Sequence, residues 1–330
     1  MKSKLLILIL FVFSVILTAC NSESAESSGG KSLTWASGAQ GGGWYTMAGG
    51  ISSLIKEKDG INISTIPGGS LQNMPFISKN EAQLAWMQPP FIKAGIEGTE
   101  PFDKKYDKVS IIGNGFGTNH FHFVINEKSP FNSIDEVFED LKNVSIAVTP
   151  VNNSDEWVFR KVLEFYNTDY DGIKAAGGKI IHGSYQEQTD ALRNGNIDSV
   201  FSQLSLPAAS ITEAAVSKKI KILPMSEELI SYLEQFGLDK NTIPAGTYKD
   251  VVNGDEEIQT ASMGNVLTVN SDLDEETVYK ITKTINENTD KLINIHASLS
   301  VYDPQNALSN LTAPLHPGAE KYYKEKGYLK

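Results

Sequence analysis

From Lys31 to the C-terminus, short runs rich in β-branched and apolar residues alternate with longer amphipathic ones. This alternation argues for α/β layers with a largely parallel sheet. Candidate strands are 33–36, 61–66, 83–87, 109–113, 121–126, 144–148, 179–182, 199–202 and 219–223, with helical patterns between most of them. Ser133-Ile-Asp-Glu136 and Ser184-Tyr-Gln-Glu187 have the spacing in which two side chains reciprocally cap a helix start. After Asp274, Val278, Ile281, Ile285 and Leu292 keep helical spacing and predict one long surface helix. So many strand and helix pairs exceed what one sheet usually holds. Two segments can carry the chain between lobes: the turn Glu127-Lys-Ser-Pro130 after the strand at 121–126, and the strand-like run 261–270. Two crossings make the first lobe discontinuous, 31–126 with 265–330, around a second lobe at 127–264, and leave a cleft between them.

The N-terminus is targeting sequence. Lys2 and Lys4 precede an almost unbroken apolar run from Leu5 to Leu17, too short for a standard membrane span and proportioned like a secretory signal. It ends in Leu17-Thr18-Ala19-Cys20, which resembles the lipobox of bacterial lipoproteins. Residues 1–19 are therefore expected to be removed and Cys20 to be lipidated. Residues 20–30 are polar and of low complexity and are expected to serve as a flexible tether. The expected location is extracytoplasmic, held to the cell membrane by the lipid. Cys20 is the one cysteine, which excludes an intramolecular disulfide and a thiolate zinc cluster. With 40 acidic against 29 basic residues, and Arg160 and Arg193 as the only arginines, the chain has no footprint for nucleic acid.

Three strand-to-helix turns carry the chemistry. Ser37-Gly-Ala-Gln-Gly-Gly-Gly-Trp-Tyr-Thr46 and Pro67-Gly-Gly-Ser-Leu-Gln-Asn73 are rich in glycine, and Val148-Thr-Pro-Val-Asn-Asn-Ser154 is rich in small polar side chains. Turns of this kind let backbone N–H groups converge on an anion at a helix start. Neither a P-loop nor a complete dinucleotide fingerprint is present. Nor is there a Gly-x-Ser-x-Gly elbow or a His-Glu-x-x-His pair, so no enzyme class is indicated. His120 and His122 share a strand face without a third ligand nearby, so neither a metal site nor a cofactor is expected.

These residues together resemble the TAXI-type solute-binding proteins of tripartite ATP-independent periplasmic (TRAP) transporters, from about Leu33 to Tyr323. The likeness is carried by the Gly-rich start with Trp44-Tyr45, Pro67-Gly-Gly-Ser-x-x-Asn73, Gln88, Ile243-Pro-Ala-Gly-Thr-Tyr248 and Pro314-Leu-His-Pro-Gly-Ala-Glu320. It implies a two-lobed, type II periplasmic-binding-protein-like α/β fold with hinge strands and a central ligand cleft. It implies a monomer that closes on a small anionic or amino-acid-like solute, such as glutamate, glutamine or a related carboxylate, and delivers it to a membrane permease. By position the cleft would be lined by Gly38, Gln40, Trp44, Tyr45, Gly69, Ser70, Asn73 and Gln88. The second lobe would add Thr149, Asn152, Asn153, Ser154, Gln203 and Ser205. Trp44, Tyr45, Phe116 and Trp157 would supply apolar walls. The chain departs from the family at Asn153-Ser-Asp-Glu-Trp157 and Ser205-Leu-Pro207, where bulkier residues bear on which carboxylate fits. The alternatives are an ABC-importer binding lipoprotein and a secreted hydrolase.

Overall fold

The computed structural model describes residues 32–139, 141 and 144–329. The signal segment, Cys20 and the tether lie outside the described residues. Strand β1 (Leu33–Ala36) feeds α1 (Gly43–Asp59), followed by β2 (Ile63–Ile66), α2 (Ser70–Ser78), β3 (Leu84–Met87), α3 (Pro89–Glu97) and β4 (Val109–Gly113). α1 stops at Gly60, whose φ of 70° is left-handed and whose N–H returns to the Lys56 carbonyl. The middle of the chain holds β5 (Thr118–Asn126), α4 (Ile134–Glu139), β6 (Ser145–Val148), α5 (Ser154–Phe165), α6 (Tyr170–Ala175) and β7 (Lys179–His182). It continues through α7 (Tyr185–Arg193), β8 (Ser199–Ser205), α8 (Ala209–Ser217), β9 (Ile220–Leu223), α9 (Glu227–Glu234), β10 (Asp239–Ile243) and β11 (Ile258–Gly264). The last part is β12 (Val266–Asn270), α10 (Glu275–Asn286), α11 (Thr289–Ile295), a 3-10 turn at Ala297–Val301 and α12 (Pro317–Glu325).

The strands form two mixed sheets and not the largely parallel one expected, because β5, β11 and β12, which follow crossings and hairpins, pair mainly antiparallel. The first has the order β2–β1–β3–β12–β4, with β1 parallel to β2 and β3, and β12 antiparallel to its neighbours. The second runs β10–β11–β5–β8–β6–β7, with β9 also paired to β5. Helices cover both, because strands such as β3, β4, β8 and β12 are buried along their whole length and need apolar partners on both faces. Around the first sheet, Trp35, Trp86 and Phe116 pack with Met47 and Ile51 of α1 and Val278, Ile281 and Ile285 of α10. Around the second, Phe121, Phe123, Phe159 and Phe201 form a contiguous aromatic core.

The strand at 121–126, expected to end the first lobe, belongs to the second sheet. It begins at Thr118 and pairs with β8, β9 and β11. The outward crossing therefore lies at 114–117, before β5, and not at Glu127–Pro130. The return is at Asn265, where the single run expected at 261–270 breaks into β11 and β12. The two crossings are tied together: Asn265 N–H donates to the Gly117 carbonyl at 3.0 Å, and its Nδ2 donates to the Phe116 carbonyl at 3.0 Å. The single helix expected after Asp274 is two helices, with Val278, Ile281, Ile285 and Leu292 all fully buried. The motif ending at Glu320 is scaffold: His316 caps α12 through Nδ1, and Pro317 occupies its first turn.

Candidate functional site

Three strands end in helix starts that meet between the sheets. β1 leads to α1, whose N-cap is Gly42, β2 to α2, whose N-cap is Gly69, and β6 to α5, whose N-cap is Asn153. Gly42 and Gly69 bring no capping side chain, whereas Asn153 Oδ1 accepts from the Asp155 N–H at 3.2 Å. A helix start leaves backbone donors without intrahelical partners and carries the positive end of the helix dipole. Three of them turn positive dipole ends toward one space without a basic side chain, and at the third start the Asp155 carboxylate opposes that end.

That space is a narrow cavity of about 20 Å³, room for about one water molecule. The first-sheet loops supply Gly38, Ala39, Gly42, Gly43, Trp44, Gly68 and Gly69. The second sheet and its helices supply Asn119, Asn153, Ser154, Asp155, Tyr185, Gln203, Leu204 and Ser205. Gln203 Nε2 and Trp44 Nε1 are buried donors without a hydrogen-bond partner, both on lining residues. Buried polar groups are ordinarily satisfied, so these two mark capacity to hold an acceptor.

The two walls touch. Gln88 Nε2 donates to Gln203 Oε1 at 2.6 Å, and Asn153 Nδ2 donates to the Gly68 carbonyl at 3.2 Å. A Cβ on Gly42 would lie 2.8 Å from the Tyr185 ring, and one on Gly69 would lie 2.5 Å from Asn153 Nδ2. Both glycines have extended backbones that any residue adopts, so it is the opposite wall that requires them. The glycine-rich turns thus admit side chains from across the cleft as well as exposing N–H groups.

Of the residues expected in the cleft, Gly38, Trp44, Gly69, Asn153, Ser154, Gln203 and Ser205 line the cavity. Ser70, Asn73, Gln88 and Thr149 are fully buried behind it. Asn73 is a brace, its Nδ2 donating to the Ser37 and Trp86 carbonyls at 2.8 Å while Oδ1 accepts from the Gly69 N–H. Ser70 Oγ donates to Gln88 Oε1 at 3.1 Å, which orients the Gln88 amide toward Gln203. Gln40 and Asn152 are exposed, the latter in a left-handed turn at φ 71°, and Tyr45 is half-buried outside the lining. Phe116 stacks on Tyr302 at 4.3 Å in the first core, and Trp157 packs edge-on to Phe91 at 5.4 Å, so neither is a cavity wall.

Asp155, Tyr185 and Asn119 line the cavity without having been expected there. Tyr185 Oη shares its one proton between Asp155 Oδ2 at 2.5 Å and the Gln203 carbonyl at 2.8 Å, and the Gln203 N–H donates to the same Asp155 oxygen at 2.8 Å. Burial pushes the Asp155 carboxyl up to about 6, an effect partly offset by those two donors. Burial, then the neighbouring carboxylate, pushes the Tyr185 phenol well above its ordinary value. Asn119 Oδ1 accepts from Ser205 Oγ at 2.5 Å and from Asn265 Nδ2 at 3.3 Å, linking the cavity floor to the crossing. His122 turns away from any ligand role: its Nδ1 meets the His120 carbonyl and its Nε2 the Tyr248 hydroxyl, each at 2.9 Å. Among the described residues no group of three His, Cys, Asp or Glu is placed to hold a metal ion.

The fold is that of periplasmic binding proteins. The structure of the periplasmic binding protein BugD aligns over 91% of this chain and 98% of its own, with a TM-score of 0.55 at 14% identity. MatC from Rhodopseudomonas palustris, solved with bound malate, aligns over 91% and 99% with a TM-score of 0.55 at 13% identity. A binding protein component of an ABC phosphonate transporter from Pseudomonas aeruginosa aligns over 81% and 78% with a TM-score of 0.51 at 10% identity. Such likenesses establish the two-lobed architecture, and the sequence itself matches a family model over residues 35–327, so the chain belongs to the NMT1-like family.

Proposed function

We propose that this chain is an extracytoplasmic solute-binding receptor of a TRAP transporter of the TAXI type, anchored through a lipid on Cys20. It captures a small anionic or amino-acid-like carboxylate by closure of two lobes, 33–113 with 266–329 and 118–264, and delivers it to a membrane permease. The observation that carries this reading is the cavity itself, lined by three helix starts from both walls and by Gln203 and Trp44, whose side-chain donors are buried without partners. Preorganised backbone dipoles hold a carboxylate at little reorganisation cost, which suits capture followed by release. The malate bound by MatC is a carboxylate of the same kind. The likeness to an ABC phosphonate binding component keeps an ABC importer as the second reading. Against hydrolysis, the cavity serines donate to Asn153 and Asn119, whose amides are not general bases.

Thermal unfolding against amino acids, dicarboxylates, keto acids and aromatic acids tests the reading. A ligand at 100 times its Kd adds about 2.7 kcal/mol, or roughly 5 °C. One selective shift is expected. Absence of any shift, in protein first unfolded and refolded, would overturn the receptor reading for these classes.

A further inference from the structure

We propose that Asp155 is the specificity-determining residue of the cleft, and that it reads a hydrogen-bond donor, an ammonium or a hydroxyl, carried by the solute beside its carboxylate. This rests on the receptor reading above and narrows its solute class. Asp155 is only 2% exposed, yet it lines the cavity. Among the described residues the lining contains no Lys, Arg or His, so no cation of the protein itself answers this carboxylate there. Leaving a buried carboxylate without a countercharge is costly. Its two oxygens offer about four acceptor positions. Two are used on Oδ2, by Tyr185 Oη and the Gln203 N–H, and the Ser154 hydroxyl and the Asp155 N–H also favour the charged form. A further donor from the solute would be taken at Oδ1.

The charge layout gives the solute a direction. The starts of α1 and α2 come from the first-sheet side, and Asp155 sits at the start of α5 on the other, where its charge opposes the positive end of that helix. A solute with its carboxylate toward Gly42 and Gly69 and its donor toward Asp155 satisfies both walls. A carboxylate lacking the donor sets its charge against Asp155 with nothing between them. Asp155 has a structural role as well, since it satisfies the Gln203 N–H where β8 runs beyond its pairing with β6. A purely structural role predicts no discrimination between solutes, and that separates the two.

Calorimetric titration of the full chain in detergent near neutral pH, with glutamate against glutarate and malate against succinate, makes the comparison. Each pair differs by one donor group on the carbon beside a carboxylate; glutamate also carries one negative charge fewer than glutarate, a difference that malate and succinate do not have. The wild-type chain is expected to favour the donor-bearing member of at least one pair by about tenfold or more. Asp155→Asn, which keeps the shape and an acceptor for Gln203, is expected to reduce that preference to within about threefold. Tyr185→Phe leaves the carboxylate in place and should retain the preference, which also covers an Asp155→Asn chain that fails to fold. Binding without preference, a preference unchanged in Asp155→Asn, or its loss in a folded Tyr185→Phe would overturn the assignment and leave the receptor reading standing. No binding of any of the four solutes by the wild-type chain would overturn the assignment, while the receptor reading would stand or fall on the wider panel of solutes.

Discussion

Two buried groups give the molecule opposite responses to acid. Burial holds the His122 imidazole down to about 3. It is neutral when folded, so its contribution is complete above the unfolded value near 6.5 and is lost as pH falls below it. By pH 5 that loss is about 2 kcal/mol. Asp155 works the other way. Its raised carboxyl resists ionisation in the fold, so its cost is full at neutral pH and is relieved as pH falls through about 6 toward the unfolded value. Between pH 7 and pH 5 that relief amounts to about 1 kcal/mol. Urea unfolding at both pH values should therefore show His122→Gln losing about 2 kcal/mol less stability on acidification than wild type, and Asp155→Asn losing about 1 kcal/mol more. Parallel pH profiles for all three proteins would mean that neither group is buried as described.

At the scale of elements, the glycine-rich turns make contact between the walls possible. Gly42→Ala places a methyl 2.8 Å from the Tyr185 ring and only 3.2 Å from the Ala39 carbonyl while leaving its backbone unstrained, so its larger cost falls on closure and a smaller one on the first lobe. Overpacking of this kind costs about 1–3 kcal/mol, so solute affinity should fall about tenfold or more with the unfolding midpoint of the solute-free protein nearly unchanged. Calorimetry beside a denaturant melt checks both halves, and an equal loss in each would place the clash inside one lobe. The same tertiary contact shows what sequence could and could not reveal. Strands such as β3 and β4 were legible because buried strands read as short apolar runs. β10 was not, since only Ile243 of its five residues is buried, as suits a sheet edge. The Thr118 start of β5 was hidden behind polar Asn119 and His120, both buried. Helical spacing runs on through Asn286 and Asn288, so the break between α10 and α11 left no mark. In the cleft, residues at helix starts were legible from their turns. Asp155 and Tyr185 were not, because an acid in a first turn and a residue following a Ser cap already have a local explanation. Only packing brings them to Gln203 of β8.

For the molecule as a whole, the question is what holds the two sheets and their helices together across the cleft. Besides the cavity contacts, Phe91 of α3 packs edge-on to Trp157 of α5, which in turn meets Phe236 beyond α9 at 5.7 Å. Lys161 Nζ lies 2.8 Å from Glu100 Oε1 across the same junction and 5.3 Å above the Trp157 ring. The ion pair looks the stronger link, but the Glu100 side chain is 65% exposed. Pairs that open to water are worth about 1 kcal/mol or less and weaken with salt. An aromatic edge contact in a buried setting contributes about 0.5–1.5 kcal/mol beyond its area and is insensitive to salt. Phe91→Leu, which keeps most of the apolar volume, should therefore lower solute affinity about three- to tenfold and raise the solute-free radius of gyration. Glu100→Gln should change affinity by about twofold at most. Scattering and titration at low salt and at about 1 M salt distinguish the two contributions. If high salt weakened solute binding as much as Phe91→Leu does, the ion pair and not the aromatic contact would be holding the junction closed.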